Sequence, residues 1–174
     1  MKILSVVFCL SLLSINNLMA QNLHNFKIQD IDGITVNLSD FKGKPILLVN
    51  TASRCGYTKQ YANLSNLHRE YLNEDLVIIG TPSNSFRQEL SNEEDVKEFC
   101  LINYNTKFIL TEIVDVKGDN AHPIYKWITQ NHGKTPKWNF YKYLFNGDGN
   151  LVKSWSSMTK PDSSKIIEEI NKLI

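Results

Sequence analysis

Cysteine is scarce in this chain. Its 174 residues hold three, Cys9, Cys55 and Cys100, too few for a disulfide scaffold. Surplus charge is also lacking: 19 Lys and Arg face 18 Asp and Glu, a net charge of +1. Without a basic excess to displace counterions from phosphates, a nucleic-acid partner is not expected. The 8 Gly and 5 Pro fall without period, which excludes collagen-like and low-complexity readings. The four histidines, His24, His68, His122 and His132, show no ligand spacing and stand apart from the cysteines, so no metal centre is expected. No Gly-rich phosphate loop, Ser-His-Asp set or nucleotide fingerprint appears, and no cofactor is implied. With 42% hydrophobic and 21% charged residues the chain is no disordered segment, and its length fits one domain.

What is present begins with a leader. Lys2 precedes an apolar run from Ile3 to Ile15, broken only by serines, and Leu18-Met19-Ala20 ends in a small-residue cleavage pattern. That layout predicts a secretory signal peptide over residues 1–20, with one domain over 21–174. The run is short for a bilayer, which takes ~20 residues, so stable membrane insertion is not expected. The chain is expected to be exported: periplasmic in a Gram-negative source, secreted otherwise. Removal of the leader takes Lys2 and Cys9 with it, leaving 18 bases, 18 acids and two cysteines. In an oxidising compartment Cys55 and Cys100 are either permanently bonded or a working pair.

The body of the chain reads as alternating strands and helices. Asp32-Gly33 sits between short alternating stretches, a hairpin signal over Phe26 to Val36. Ile46 to Asn50 and Leu76 to Ile79 are continuous apolar runs of strand length, suited to strands buried on both faces. Tyr61, Leu64, Leu67, Tyr71 and Leu72 recur at helical spacing over 58–72. Ser91 with Glu94 reads as a capping box for a helix running to Tyr104. Phe108 to Val116 is extended, and His122 to His132 is helical with Pro123 in its first turn. A second hairpin turns at Asn146 to Asn150, and Pro161 opens a last helix with Ile166, Ile167, Ile170 and Leu173 inward. This order predicts an α/β domain, a thioredoxin-like fold with a central mixed sheet flanked by helices and an N-terminal hairpin. Sites in such sheets gather at the carboxyl ends of the strands, here Ala52 to Tyr57 and Pro82 to Phe86.

Cys55 lies in that zone, just before the first helix. A cysteine there has its thiolate stabilised by free backbone N–H groups, and Gly56 allows a tight turn beside it. A thiolate so placed attacks a disulfide or a peroxide; equally, a half-buried cysteine packs. The segment Cys55-Gly56-Tyr57-Thr58 ends in Thr, so a dithiol reductase mechanism lacks its second sulfur. Cys100 stands among apolar neighbours, as a structural thiol would. Trp138 and Asn139 supply N–H donors from a loop, and donors aimed at a sulfur favour its anion. Packing is the alternative role for both.

The stretch Asn50-Thr51-Ala52-Ser53-Arg54-Cys55-Gly56-Tyr57-Thr58 resembles the active-site signature of the glutathione peroxidase family. Pro82 to Phe86, Asn120 to Trp127, Lys137 to Phe140, and Asp148 to Val152 with Thr159-Lys160-Pro161 resemble further family blocks, in family order. The resemblance implies a thioredoxin-like fold and a peroxidase in which Cys55 is the peroxidatic residue, the cysteine version rather than the selenocysteine one. It implies that Trp138 and Asn139 belong to a catalytic tetrad. Cys100 matches the resolving cysteine of the thioredoxin-dependent branch. The short segment between Val116 and Trp138 lacks the assembly loop of tetrameric members, which implies a monomer. One departure stands out: the tetrad Gln aligns with Ser85, a shorter arm with one hydroxyl, while a one-residue contraction over Phe86 to Glu89 makes Gln88 the alternative, and the choice between the two is left open.

The expected reaction is reduction of hydrogen peroxide or an organic hydroperoxide through a Cys55 sulfenic acid, in response to oxidative stress. Cys100 resolves it, and a thioredoxin-like protein recycles the disulfide. Glutathione as direct reductant is the rival within enzymes. An exported protein with a structural Cys55–Cys100 disulfide is the rival outside them.

Overall fold

The computed structural model describes residues 21–174; the leader expected over 1–20 lies outside the described residues. Seven strands and four helices follow in the expected order. β1 (Lys27–Gln29) and β2 (Thr35–Asn37) form the N-terminal antiparallel hairpin. β3 (Ile46–Thr51), α1 (Gln60–Glu70), β4 (Val77–Pro82), α2 (Glu93–Tyr104), β5 (Ile109–Leu110) and α3 (Pro123–His132) make two parallel β-α-β units and a third helix. β6 (Lys142–Phe145), β7 (Leu151–Trp155) and α4 (Ser164–Ile170) close the chain. The main sheet has the order β5-β4-β3-β6-β7. β3 pairs parallel with β4 and antiparallel with β6, so the sheet is mixed and β3 is central.

The apolar alternation of β3 builds two cores. Leu47 and Val49 point to one face, with Ile78, Leu144, Tyr61, Leu64 and Leu67 of α1, Val96 and Cys100 of α2, and Ile166 and Ile170 of α4. Ile46 and Leu48 point to the other, with Ile79, Tyr143, Phe145, Ile124 and Ile128 of α3, and Leu23, Ile28 and Leu38 of the N-terminal region. Helices therefore cover both faces, as parallel pairing requires. The hairpin after β6 turns at Gly149, in the left-handed region at φ +79, where a Cβ would stand 2.8 Å from the His24 ring.

Four boundaries differ from expectation. The cap of α2 is Asn92, not Ser91: its side-chain oxygen accepts from the Asp95 N–H at 2.8 Å. The capping geometry rewards whichever side chain sits just outside the first turn, and Asn92 does. α4 starts at Ser164 rather than Pro161. The extended segment over 108–116 contributes only two sheet residues, because β5 is an edge strand paired with β4 alone. Leu72 is exposed rather than inward, since α1 ends at Glu70.

Candidate active site

The carboxyl ends of β3 and β4 place the cysteine turn. After Thr51 the chain leaves the sheet and turns over residues 53–59 before α1. Cys55 is 8% exposed in this turn, five residues ahead of Gln60. It stands before the first helix, as expected, but separated from it by successive tight turns, from Thr58 N–H to Cys55 C=O and from Gln60 N–H to Tyr57 C=O. The sulfur instead receives the Tyr57 backbone N–H at 3.4 Å. Thr58 locks the turn: its hydroxyl accepts from the Cys55 N–H at 2.9 Å and donates to the Ala52 carbonyl at 2.9 Å. Gly56 is outside the left-handed region, and a Cβ there would meet nothing within 4 Å. Its contribution is open space beside the sulfur, not an unusual backbone angle.

Asn50, at the end of β3, brings the loop before β6 to the same place. Its side-chain N–H donates to the Trp138 carbonyl at 3.0 Å, and its side-chain oxygen accepts from the Tyr141 N–H at 2.9 Å. Its own carbonyl accepts from the Phe140 N–H at 2.6 Å. Phe140 is held in the left-handed region at φ 62, an outlier for a bulky residue and a strain this clamp maintains. Asn139, fully buried, is thereby turned inward, while Trp138 is turned out, 40% exposed, against the Phe86 ring at 5.3 Å.

The structure settles where the candidate amide stands. Ser85 faces away: its hydroxyl donates to the Asp115 carboxylate at 2.9 Å and accepts from the Val116 N–H at 3.0 Å. Gln88 is at the site. Its side-chain oxygen accepts from the Asn139 amide at 3.0 Å, and its carbonyl accepts from the N–H of Arg54, next to Cys55, at 2.8 Å. Arg87, at φ 59, is a second strained residue and turns Gln88 inward. Gln88 thus links the residue beside Cys55 to the Asn139 amide, and Trp138, next to Asn139, stands at the surface against Phe86.

Cys100 shares the apolar cluster of Cys55, but from the interior of α2. It has no solvent exposure, and burial pushes its thiol up to about 12. Both cysteines are free thiols.

Three buried polar residues escaped the sequence reading. Glu89 is 6% exposed, and one of its oxygens accepts the N–H groups of Ser53 and Leu90, each at 2.9 Å. Lys142 is fully buried without a carboxylate partner; its ammonium donates to the Gln60 side chain at 2.5 Å and the Thr159 carbonyl at 2.6 Å. Burial pulls its pKa down to about 7. Gln60 ties the start of α1 to the Ser157 carbonyl at 2.6 Å, and the Ser157 hydroxyl donates to the Asn139 carbonyl at 2.5 Å. A charged residue inside an apolar strand such as β6 is the one signal that could have found Lys142. Glu89 carried none.

Fold and site together define a thioredoxin-like α/β protein with a free cysteine in the turn that follows the carboxyl end of β3. A putative thiol:disulfide interchange protein DsbE from Chlorobium tepidum shares that fold, with TM-score 0.61 at 18% identity over 85% of this chain and 92% of the other. Residues 23–129 match the glutathione peroxidase family, and the chain belongs to it. Relatives include the glutathione peroxidase-like peroxiredoxin 2 of Saccharomyces cerevisiae, 37% identical over 90% of this chain and 99% of the relative. A hydroperoxy fatty acid reductase of Synechocystis sp. is 37% identical over 87% of this chain and 95% of its own length. The crystal structure of Trgpx in apo form matches with TM-score 0.71 at 34% identity, over 88% of this chain and 96% of that one. Membership makes the protein a peroxidase acting on hydroperoxides and removes the non-enzymatic alternative.

Proposed function

We propose that the protein is a two-cysteine thiol peroxidase. Cys55 attacks the peroxide oxygen, breaking the O–O bond and becoming a sulfenic acid as an alcohol or water leaves. Cys100 condenses with it to a disulfide, which shields Cys55 from irreversible oxidation. A thioredoxin-like protein returns both thiols by exchange. Trp138, Asn139 and Gln88 line the reacting sulfur, with the Gln88 amide taking the position that Ser85 leaves. The observation that carries this reading is the bond between the Asn139 and Gln88 side chains beside the Cys55 turn, with a second free thiol in the same cluster.

Hydrogen peroxide and organic hydroperoxides are the substrate class. The exposed Trp138 ring, against the half-buried Phe86 ring, suits an organic one, and a relative's name as a hydroperoxy fatty acid reductase supports that. The second free thiol, Cys100, in the same cluster supports a thioredoxin-like reductant over glutathione. A monomeric domain over 21–174, exported after loss of residues 1–20, completes the proposal; the apolar leader pattern supports export.

The test counts thiols on reduced protein before and after one equivalent of hydrogen peroxide. Loss of both Cys55 and Cys100 thiols supports the cycle; loss of neither ends it. Steady-state turnover with thioredoxin and with glutathione then separates the reductants.

A further inference from the structure

Lys142 and its neighbours form a buried polar cluster that the cycle above does not use. Lys142 stands on β6 opposite Val49 of β3 and Trp155 of β7, where an apolar side chain would satisfy the core. Its ammonium is instead buried, and no carboxylate forms an ion pair with it among the described residues. An unpaired buried charge opposes folding, so stability does not account for it. Its surroundings do. The Nζ donates to the Gln60 side-chain oxygen at 2.5 Å and to the carbonyls of Thr159 at 2.6 Å, Ser156 at 3.4 Å and Ser157 at 3.5 Å. All four are acceptors, a set that an ammonium with three hydrogens fills and an amine with two leaves short. Three of them come from the single turn after β7, which the Thr159 N–H closes onto the Ser156 carbonyl at 3.2 Å. Converging carbonyls repel one another unless a donor stands between them, so the ammonium gathers this turn.

The gathered turn reaches Asn139. The Ser157 carbonyl is also held by the Gln60 amide at 2.6 Å, and the Ser157 hydroxyl donates to the Asn139 carbonyl at 2.5 Å. The same peptide unit is gripped at its other end, where the Phe140 N–H donates to the Asn50 carbonyl at 2.6 Å. Both ends of the peptide joining residues 139 and 140 are thereby fixed, just ahead of the left-handed φ of 62 at Phe140. The Asn139 side chain depends on that backbone. Its Oδ1 is buried with no partner, and its amide donates to the Gln88 side chain at 3.0 Å. The Gln88 carbonyl accepts from the N–H of Arg54, beside Cys55, at 2.8 Å. Hydrogen bonds of 3.0 Å or less therefore run from Lys142 through Gln60, Ser157, Asn139 and Gln88 to the cysteine turn. None of these residues belongs to α2, so the path is complete before Cys100 takes any part.

We propose that Lys142 is a positioning residue for the oxidation of Cys55: its ammonium gathers the turn after β7, whose Ser157 hydroxyl aims Asn139 at the reacting atoms. The inference rests on the reading of Asn139 as a donor beside the Cys55 sulfur. As the sulfur attacks, an S–O bond forms and the O–O bond breaks. The sulfur is oxidised and the peroxide reduced. Negative charge develops on the leaving oxygen, which departs as an alcohol or water with the proton of the thiol. An amide N–H fixed in advance stabilises that charge without reorganising. The Asn139 amide has two hydrogens; Gln88 takes one, and the other serves the leaving oxygen. A shift of ~1 Å in such a donor costs on the order of a hundredfold in rate. Lys142 acts by holding that donor still.

The experiment follows two reactions of the reduced full-length protein, oxidation by hydrogen peroxide and alkylation by iodoacetamide, each read by mass on the Cys55 peptide. Alkylation needs the sulfur alone, whereas peroxide cleavage also needs the donor. The ratio of oxidation to alkylation rate therefore reports positioning and not general loosening. In Lys142→Met, which keeps the length of the side chain, the ratio is expected to fall roughly ten- to a hundredfold. Ser157→Ala, which removes one hydrogen bond of the path, is expected to lower it about fivefold, and decides alone should Lys142→Met not fold. Introduced into Asn139→Ala, either substitution is expected to lower the ratio no further, because the residue it positions is gone. An unchanged ratio in the folded variants, whether or not both rates fall together, overturns the inference. So does a further fall in the Asn139→Ala background. A wild-type ratio in Asn139→Ala itself overturns the reading of Asn139 instead, so the two failures are distinguishable.

Discussion

Cys55 and Cys100 belong to one apolar cluster, yet their surroundings are opposites. Cys55 stands in a loop, beside a glycine with open space, its turn locked by Thr58 and its sulfur touched by a backbone N–H. Cys100 stands in mid-helix, sealed from solvent, its thiol pushed up to about 12 by burial. In the proposed cycle the first setting meets a small oxidant without rearrangement. The second keeps a thiol unreactive until α2 gives way, since a disulfide needs Cα atoms ~4.4–6.8 Å apart and aligned Cβ vectors. Reactivity here follows from placement and not from residue type.

That contrast is broken most severely by Cys55→Ser. It is expected to reduce peroxide consumption by on the order of a thousandfold or more, read by stopped-flow oxidation of reduced protein. Retained activity would move the chemistry elsewhere. Cys100→Ser removes the sealed partner and sharpens the division of labour. Its first turnover is expected to proceed while thioredoxin-driven turnover is lost, seen by comparing a single-turnover burst with the steady state; unchanged steady-state turnover would take Cys100 out of the cycle.

A smaller effect is expected on the open side. Gln88→Ala leaves the buried Asn139 amide without its acceptor, a loss of about 1–2 kcal/mol and so about tenfold in the rate of Cys55 oxidation. Ser85→Ala, whose hydroxyl is committed to Asp115, is expected to change that rate by less than about twofold, within the spread of ordinary surface substitutions. The reverse order would return the amide role to residue 85.

The smallest effect is on stability at high pH. The Cys100 thiol is neutral in the fold up to about 12, whereas an unfolded thiol ionises near ~8.5. The neutral thiol's contribution is therefore complete below ~8.5 and is lost as pH rises toward 12. Cys100→Ala is expected to flatten this alkaline decline in urea midpoints. Tyr61 and Tyr125, also raised by burial, add declines of the same sign and preserve part of the slope.

Much of the fold was legible beforehand. The runs at Ile46 and Leu76 are strands because both faces are covered, and the hairpin residues fall where turns need them. Boundaries were less so: Asn92 rather than Ser91 caps α2, because either residue type caps and only the chain's exit angle chooses between them. In the site, Cys55, Trp138 and Asn139 could be named in advance, but not what each touches. The open question between Ser85 and Gln88 was decided by a strained backbone at Arg87, which local preference disfavours. Glu89 went unnoticed because a lone acid in a polar loop looks like a solvated one, and Lys142 because a lysine at the start of a strand looks like a solvated end.

The order of strands and helices, the two-sided burial of β3 and β4 and the position of the reactive cysteine were written into the chain itself. Apolar runs and turn residues act over a few positions and need no distant partner. The meeting of Gln88 with Asn139, and of Gln88 with the residue beside Cys55, was decided only in three dimensions. Those groups come from separate segments, and what joins them is the register of β3 between β4 and β6, which no short window contains.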